Sequence, residues 1–377
     1  MAEYGKITDE GIAELRKLIG IERTGSSMHG RGEAMPISRD LIRRFAIGIA
    51  DMNPLYLDEE HAKGSPYGII ILPPGMLSMM ERVNGATDGL PGCHTIWRHA
   101  TLEWYLPMRL GDTLRSSTRL VDVREVESKF GGGRSVIQDY ETTARNQNHE
   151  VAGIFKTSWL RFERAKSKAS GKYIGRPLAQ YTPEGIENIK AQYRKEVQRG
   201  PQPLYWEDVQ EGEEIPPKIK GPTTTISKIA FELAGGPGGW VVGHELAFEL
   251  FERHPGLPFI NEQGVPEVPL AIHWSNERCQ RILGLPGAYE AGYERINWMI
   301  QGYMNWMGDH GRMKKLFVKF PAFSLLGDTT WCKGKVVEKR IEGENHIVAL
   351  EIWTVNQLEV TTTTGQAEVI LPSRGMR

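Results

Sequence analysis

The sequence predicts an α+β chain of two related units in tandem, each an antiparallel sheet wrapped around a long central helix. The first observation behind this is a repeat. Tyr56, Ala62, Gly75 and Gly111-Asp112 return 216 or 217 residues later as His273, Cys279, Gly292 and Gly327-Asp328. The second is that Gly75 and Gly292 each open an apolar stretch with helical periodicity. The third is that both stretches are followed by segments rich in β-branched and aromatic residues, which suit half-buried strands. A chain of 377 residues also exceeds the size at which one core usually stops growing.

The elements can be justified in order. Residues 8–19 predict an entry helix: Thr8 can cap it, Asp9 and Glu10 suit its positive end, and Gly20 stops it. Apolar residues at 37, 41, 42, 45 and 49 predict a helix over 37–50. The Asp, Asn, Pro and Gly residues that follow make a turn-rich loop, and the apolar run after Gly75 predicts the first central helix. Strands are expected on either side of the turn at Gly131-Gly132-Gly133. Arg164 to Arg176 reads as a basic linker, and 183–198 as a charged helix.

The second unit repeats this plan. Its helix over 223–236 aligns Ile226-Ser227 with Ile37-Ser38 at an offset of 189, so about 28 extra residues lie between Gly235 and His273. Insertions of that size beside a site reshape the pocket. The expected boundaries are 1–164 and 205–377 for the two units, with 165–204 as linker and an insertion over about 236–266.

Composition narrows the function. Forty-six basic against forty-seven acidic residues leave a net charge of −1, with no sustained block of either sign, which argues against nucleic acid or a membrane surface as partner. Cys93, Cys279 and Cys332 are widely separated, show no metal-ligand spacing and read as reduced thiols. No apolar run is long enough to span a membrane, and the charged, amphipathic start does not look like a leader. A cytoplasmic protein is expected. Asp309 and His310 have a metal-like look, but adjacent side chains on a turn seldom converge on one ion, so NWMGDHG (305–311) reads as a loop.

Asp51, Asn53, Pro54, Leu55 and Tyr56, with Ala62 six residues beyond, resemble a known motif. It is the Asp-x-Asn-Pro-aliphatic-His signature of the MaoC-like dehydratases and (R)-specific enoyl-CoA hydratases, with its His replaced by Tyr56. The resemblance covers about 35–164 and 205–370. It implies the hot-dog fold in its tandem form and hydration or dehydration of an α,β-unsaturated acyl-CoA, a lyase activity needing no metal or other cofactor, with CoA entering as part of the substrate. A homodimer of such chains is implied, a hetero-oligomer being the alternative.

In that family the Asp and His form a catalytic dyad. Here the first half keeps Asp51 and Asn53 without the His, while the second keeps His273 with Val268 where the Asp belongs. Asp51 and Asn53 can equally build an Asx turn ahead of Pro54. Glu267, one residue from the expected place, is the first candidate for the missing carboxylate; Glu262, Glu245 and His244 are others. The reaction needs a base, an acid and donors for an enolate oxygen. Gly287 is the chosen donor position, Gly284 is sterically as free, and Tyr56 and Asn276 complete the expected substrate contacts. Two other readings of the fold remain: a hot-dog thioesterase, and a non-catalytic subunit with both dyads broken.

Overall fold

The computed structural model describes residues 5–24, 34–163, 176–235, 242–253, 255 and 257–375. Residues 164–175 of the basic linker and 236–241 of the insertion lie outside them. Thirteen strands are present in the described residues: β1 (Glu22–Arg23), β2 (Ala34–Pro36), β3 (His94–Trp104), β4 (Thr113–Ser128), β5 (Gly133–Arg145), β6 (Val151–Phe162), β7 (Glu214–Lys220), β8 (Phe259–Ile260), β9 (Pro266–Glu267), β10 (Arg312–Lys319), β11 (Thr330–Glu342), β12 (Asn345–Asn356) and β13 (Thr361–Leu371). Eleven of them form one sheet in the order β1-β4-β5-β6-β3-β10-β13-β12-β11-β7, with β2 also on β4. Its centre is the antiparallel pair β3–β10, where Thr101 faces Phe317 and His99 faces Lys319.

Outward from that pair the two halves mirror each other: β6, β5 and β4 on one side, β13, β12 and β11 on the other. The repeat in the sequence is therefore a repeat in the sheet. Alternating burial along β4 and β13 sends one face of each strand into the core and the other to solvent.

The helices follow local chemistry. Thr8 caps Asp9–Arg16 and Ser38 caps Arg39–Gly48, each side chain accepting from a backbone N–H three residues on. Thr224 and Ser227 cap Thr225–Ala234 reciprocally. Arg39–Gly48 and Thr225–Ala234, the counterparts in the repeat, pack on each other. A Cβ on Gly48 would come within 2.2 Å of the Ala234 methyl and 3.0 Å of the Ala230 carbonyl oxygen. Gly48→Val is expected to cost about 1–3 kcal/mol by overpacking this crossing, measured as a lower denaturant midpoint with unchanged slope.

The two halves differ at their centres. Gly292–Met307 is a 16-residue helix, buried on almost every face. The long helix expected after Gly75 is absent: Pro74–Met79 makes a short 3₁₀ helix, and no regular element follows before β3. The second half's helix fills that space instead. The Asn297 side chain lies where a Gly75 Cβ would be, and Tyr293 donates to Glu81 and meets Asn84. Asn84 in turn bends the chain by accepting from the Ala86 N–H. One helix thus serves much of a core shared by the two halves.

Candidate functional site

A cavity of about 1160 Å³ opens between the halves, beside the start of the central helix. Trp97, Trp159 and Phe130 line it from the first half, and His273, Tyr289, Glu290, Tyr293, Arg295 and Phe320 from the second. Leu250, Arg253, Pro255 and Leu257 of the insertion complete the wall. Trp97 and Trp159 stack at 5.1 Å, and Trp97 packs on Tyr293 and Phe320. The Trp97 ring also lies against the start of the central helix, 2.4 Å from where a Gly292 Cβ would be, so glycine is what lets the two halves close there.

His273 ends the short 3₁₀ helix Pro269–His273. Its Nδ1 lies 2.7 Å from the Tyr289 carbonyl oxygen. A carbonyl only accepts, so Nδ1 carries the proton and Nε2 keeps a lone pair. The segment that presents Tyr289 is itself pinned: Leu326 donates to the Ala288 carbonyl and Glu290 donates to Ser324, both at 2.8 Å. Burial, with the charges of Lys228 and Arg295 nearby, pushes the His273 pKa down to about 3. His273 is a neutral base across the physiological range.

Behind it lies a buried charge cluster. Lys228 pairs with Glu294 at 2.5 Å and with Glu232 at 3.0 Å. Arg295 donates to the Thr362 and Ala322 carbonyls and stacks on Phe320; burial brings it down to about 10. Glu290, 1% exposed, receives no hydrogen bond from a donor at either carboxylate oxygen. Its neighbour is the Glu294 carboxyl, which burial and then Glu290 itself raise well above the usual carboxylate range. Burial also raises Glu232. Two cations thus face three carboxyls, and one retained proton balances the cluster.

The remaining candidates are elsewhere. Glu267 does not turn to His273: it pairs with Arg278 and accepts from Asn261, because the β8–β9 hairpin carries it toward the Asn276–Leu283 helix. Glu262 pairs with Arg281 and Arg278 on the surface. Gly284 is the left-handed C-cap of that helix, with φ of 69°. Gly287 packs on Asn276, whose Oδ1 accepts from the Ala288 N–H at 2.9 Å. Neither glycine opens the central helix; Gly292 does, and no side chain caps that helix start.

In the first half, Asp51 and Asn53 build the turn. Asp51 accepts from the Asn53 N–H and Asn53 from the Leu55 N–H, capping Pro54–Leu57. The second half seals this spot: Lys220 donates to the Ile49 and Ala50 carbonyls, and Gln301 donates to Ala50. Burial raises the Asp51 carboxyl and Tyr56. The Tyr56 hydroxyl is buried without a partner. Tyr56→Phe is therefore expected to leave activity unchanged and the melting temperature equal or higher, by up to about 1 kcal/mol of stability. A clear fall in either would show that the hydroxyl has work there.

Two features of the halves' junction are not visible in the sequence. Glu290 gave only the signal that it directly precedes the helix-opening Ala291-Gly292. His61 Nε2 lies 2.7 Å from Asp309 Oδ2, a pair joining the halves; the loop expected over 305–311 is confined to 308–311, because Asn305–Met307 still belong to the central helix, and Asp309 has a specific partner. Among the described residues no group of His, Cys, Asp or Glu is arranged to hold a metal, no helix is long and apolar enough to cross a membrane, and the three cysteines are buried.

Comparison with known proteins agrees with this architecture. Residues 23–153 match the family model of the FAS1-like, dehydratase domain region. A UPF0336 protein of Thermobifida fusca is 30% identical over 135 residues, 33% of this chain and 86% of the relative. A solved MaoC-like dehydratase superposes with a TM-score of 0.63 at 15% identity, covering 95% of this chain and 99% of that one. A conserved hypothetical protein of Mycobacterium tuberculosis, described as having a double hotdog fold, superposes with a TM-score of 0.55 at 12% identity, covering 95% and 97%.

Proposed function

We propose that the chain, a double hot-dog protein similar to MaoC-like dehydratases and to a dehydratase-region family model over 23–153, adds water to, or removes it from, an acyl-CoA thioester in the second-half cavity. The observation that carries this reading is the tautomer of His273. With Nδ1–H held by the Tyr289 carbonyl, Nε2 is a neutral base on a residue that lines the cavity.

In hydration, Nε2 takes a proton from water as its oxygen bonds to the β-carbon of the enoyl group. The electron pair moves to the thioester oxygen, and a proton delivered to the α-carbon completes the 3-hydroxyacyl product. The uncapped N–H groups at the start of Gly292–Met307 suit the developing enolate oxygen, with the positive end of a 16-residue helix behind them. Arg98, Arg253 and Lys319 on the cavity wall suit the phosphates of CoA. The sealed turn at Asp51, Asn53 and Tyr56 leaves the chemistry to one half.

The test is product analysis on enoyl-CoA esters of short, long and ring-bearing acyl groups. Formation of 3-hydroxyacyl-CoA without free CoA is the expected result. Release of free CoA identifies a thioesterase, and no turnover of any ester leaves a subunit that needs a partner chain; either outcome overturns the proposal. Dimerisation of the chain and its place in the cytoplasm belong to the same proposal, and sedimentation and fractionation test them.

A further inference from the structure

His273 accounts for one proton of the reaction and leaves the other unassigned. The position five residues before it is Val268, and the nearby Glu267 is held by Arg278 and Asn261. The cavity wall nevertheless contains a carboxylate. Glu290 follows directly on Tyr289, whose carbonyl orients His273, and its own backbone N–H is fixed to Ser324. It is 1% exposed, neither oxygen meets an N–H donor, and its carboxyl neighbour is Glu294, four residues on in the first turn of the central helix.

We propose that Glu290, sharing a proton with Glu294, is the catalytic acid of this site and replaces the missing motif aspartate from the opposite side of His273 in the sequence. The inference rests on the hydratase reading above. As His273 Nε2 takes a proton from water, the Glu290–Glu294 pair gives its shared proton to the α-carbon, so the net charge of the cavity does not change. The imidazolium then returns its proton to the pair through solvent, and water has been added with every proton accounted for. This exchange also offsets the weak basicity of His273: its proton arrives as a carboxylate forms on the same cavity wall. Lys228, with Glu232 behind it, holds Glu294 in place, and Arg295 adds the second positive charge facing the pair.

The experiment uses the full chain and the enoyl-CoA that the wild type turns over best. Glu290→Gln keeps the side-chain shape and removes the transferable proton. It is expected to lower kcat by ~10²- to 10³-fold with KM and the melting temperature little changed, and Glu290→Asp should recover part of the rate. Activity of Glu290→Gln close to wild type while His273→Gln is inactive overturns the acid and leaves the hydratase reading standing. Wild-type levels of hydration in both variants overturn the acid and the placement of the reaction at His273. Should Glu290→Gln fail to fold, Glu294→Gln decides: a fall in kcat of tenfold or more at constant KM supports the shared proton, and an unchanged kcat overturns it.

Discussion

His273→Gln is expected to lose at least ~10²- to 10⁴-fold in turnover of an enoyl-CoA, the usual contribution of a general base, with the fold intact. Glutamine keeps a donor for the Tyr289 carbonyl and removes the Nε2 lone pair. The pH behaviour separates this from a structural effect. The folded pKa of about 3 lies below the unfolded value near 6.5, so between those values the unfolded chain binds a proton that the native chain does not. Stability should therefore fall as pH drops from about 6.5 toward 3, by about 1.4 kcal/mol for each pH unit, and the His273→Gln variant should lack that component. Acid melts of the two proteins measure it. Parallel curves, or full turnover in the variant, would reject the role assigned to His273.

Lys228→Met is expected to be the most damaging single change to stability, costing about 3–5 kcal/mol, because it removes one partner from a buried ionic cluster. Against the penalty of burial, Glu294, Glu232 and Glu290 hold the Lys228 pKa above its ordinary value. Without that cation the three carboxyls face Arg295 alone, and more than one must be protonated in the folded chain. Groups whose folded pKa is raised give stability that is full below the unfolded pKa of about 4.5 and is lost as pH rises. The variant should thus be least impaired in acid, and adding Glu232→Gln should restore part of the loss near neutrality. A denaturant midpoint equal to wild type at pH 7 would contradict the cluster.

What could be read from the sequence was what neighbouring residues impose on one another. Thr8 signals a helix start because a cap acts within three residues, and the Tyr56/His273 spacing survives because the same local path is built twice. The missing helix after Gly75 could not be read that way. MLSMMERVNG is as apolar as a central helix, and what excludes it are Tyr293 and Asn297, more than 200 residues away. Glu267 looked close to His273 by count, yet a two-stranded hairpin turns it to Arg278. Glu290 looked distant at 17 residues, yet the extended stretch pinned along 324–326 brings its neighbour Tyr289 to His273.

The union of β3 with β10 sets what this molecule is free to change. In a pair of identical chains every substitution is made twice, once in each copy, so a helix removed from one side of the junction would be removed from both. Here the two sides are separate stretches of one chain. The first could lose its helix and close its motif while the second kept an uncapped 16-residue helix and a histidine beside it. The cavity is accordingly lined from both sides of the junction, each side contributing residues that the other does not repeat.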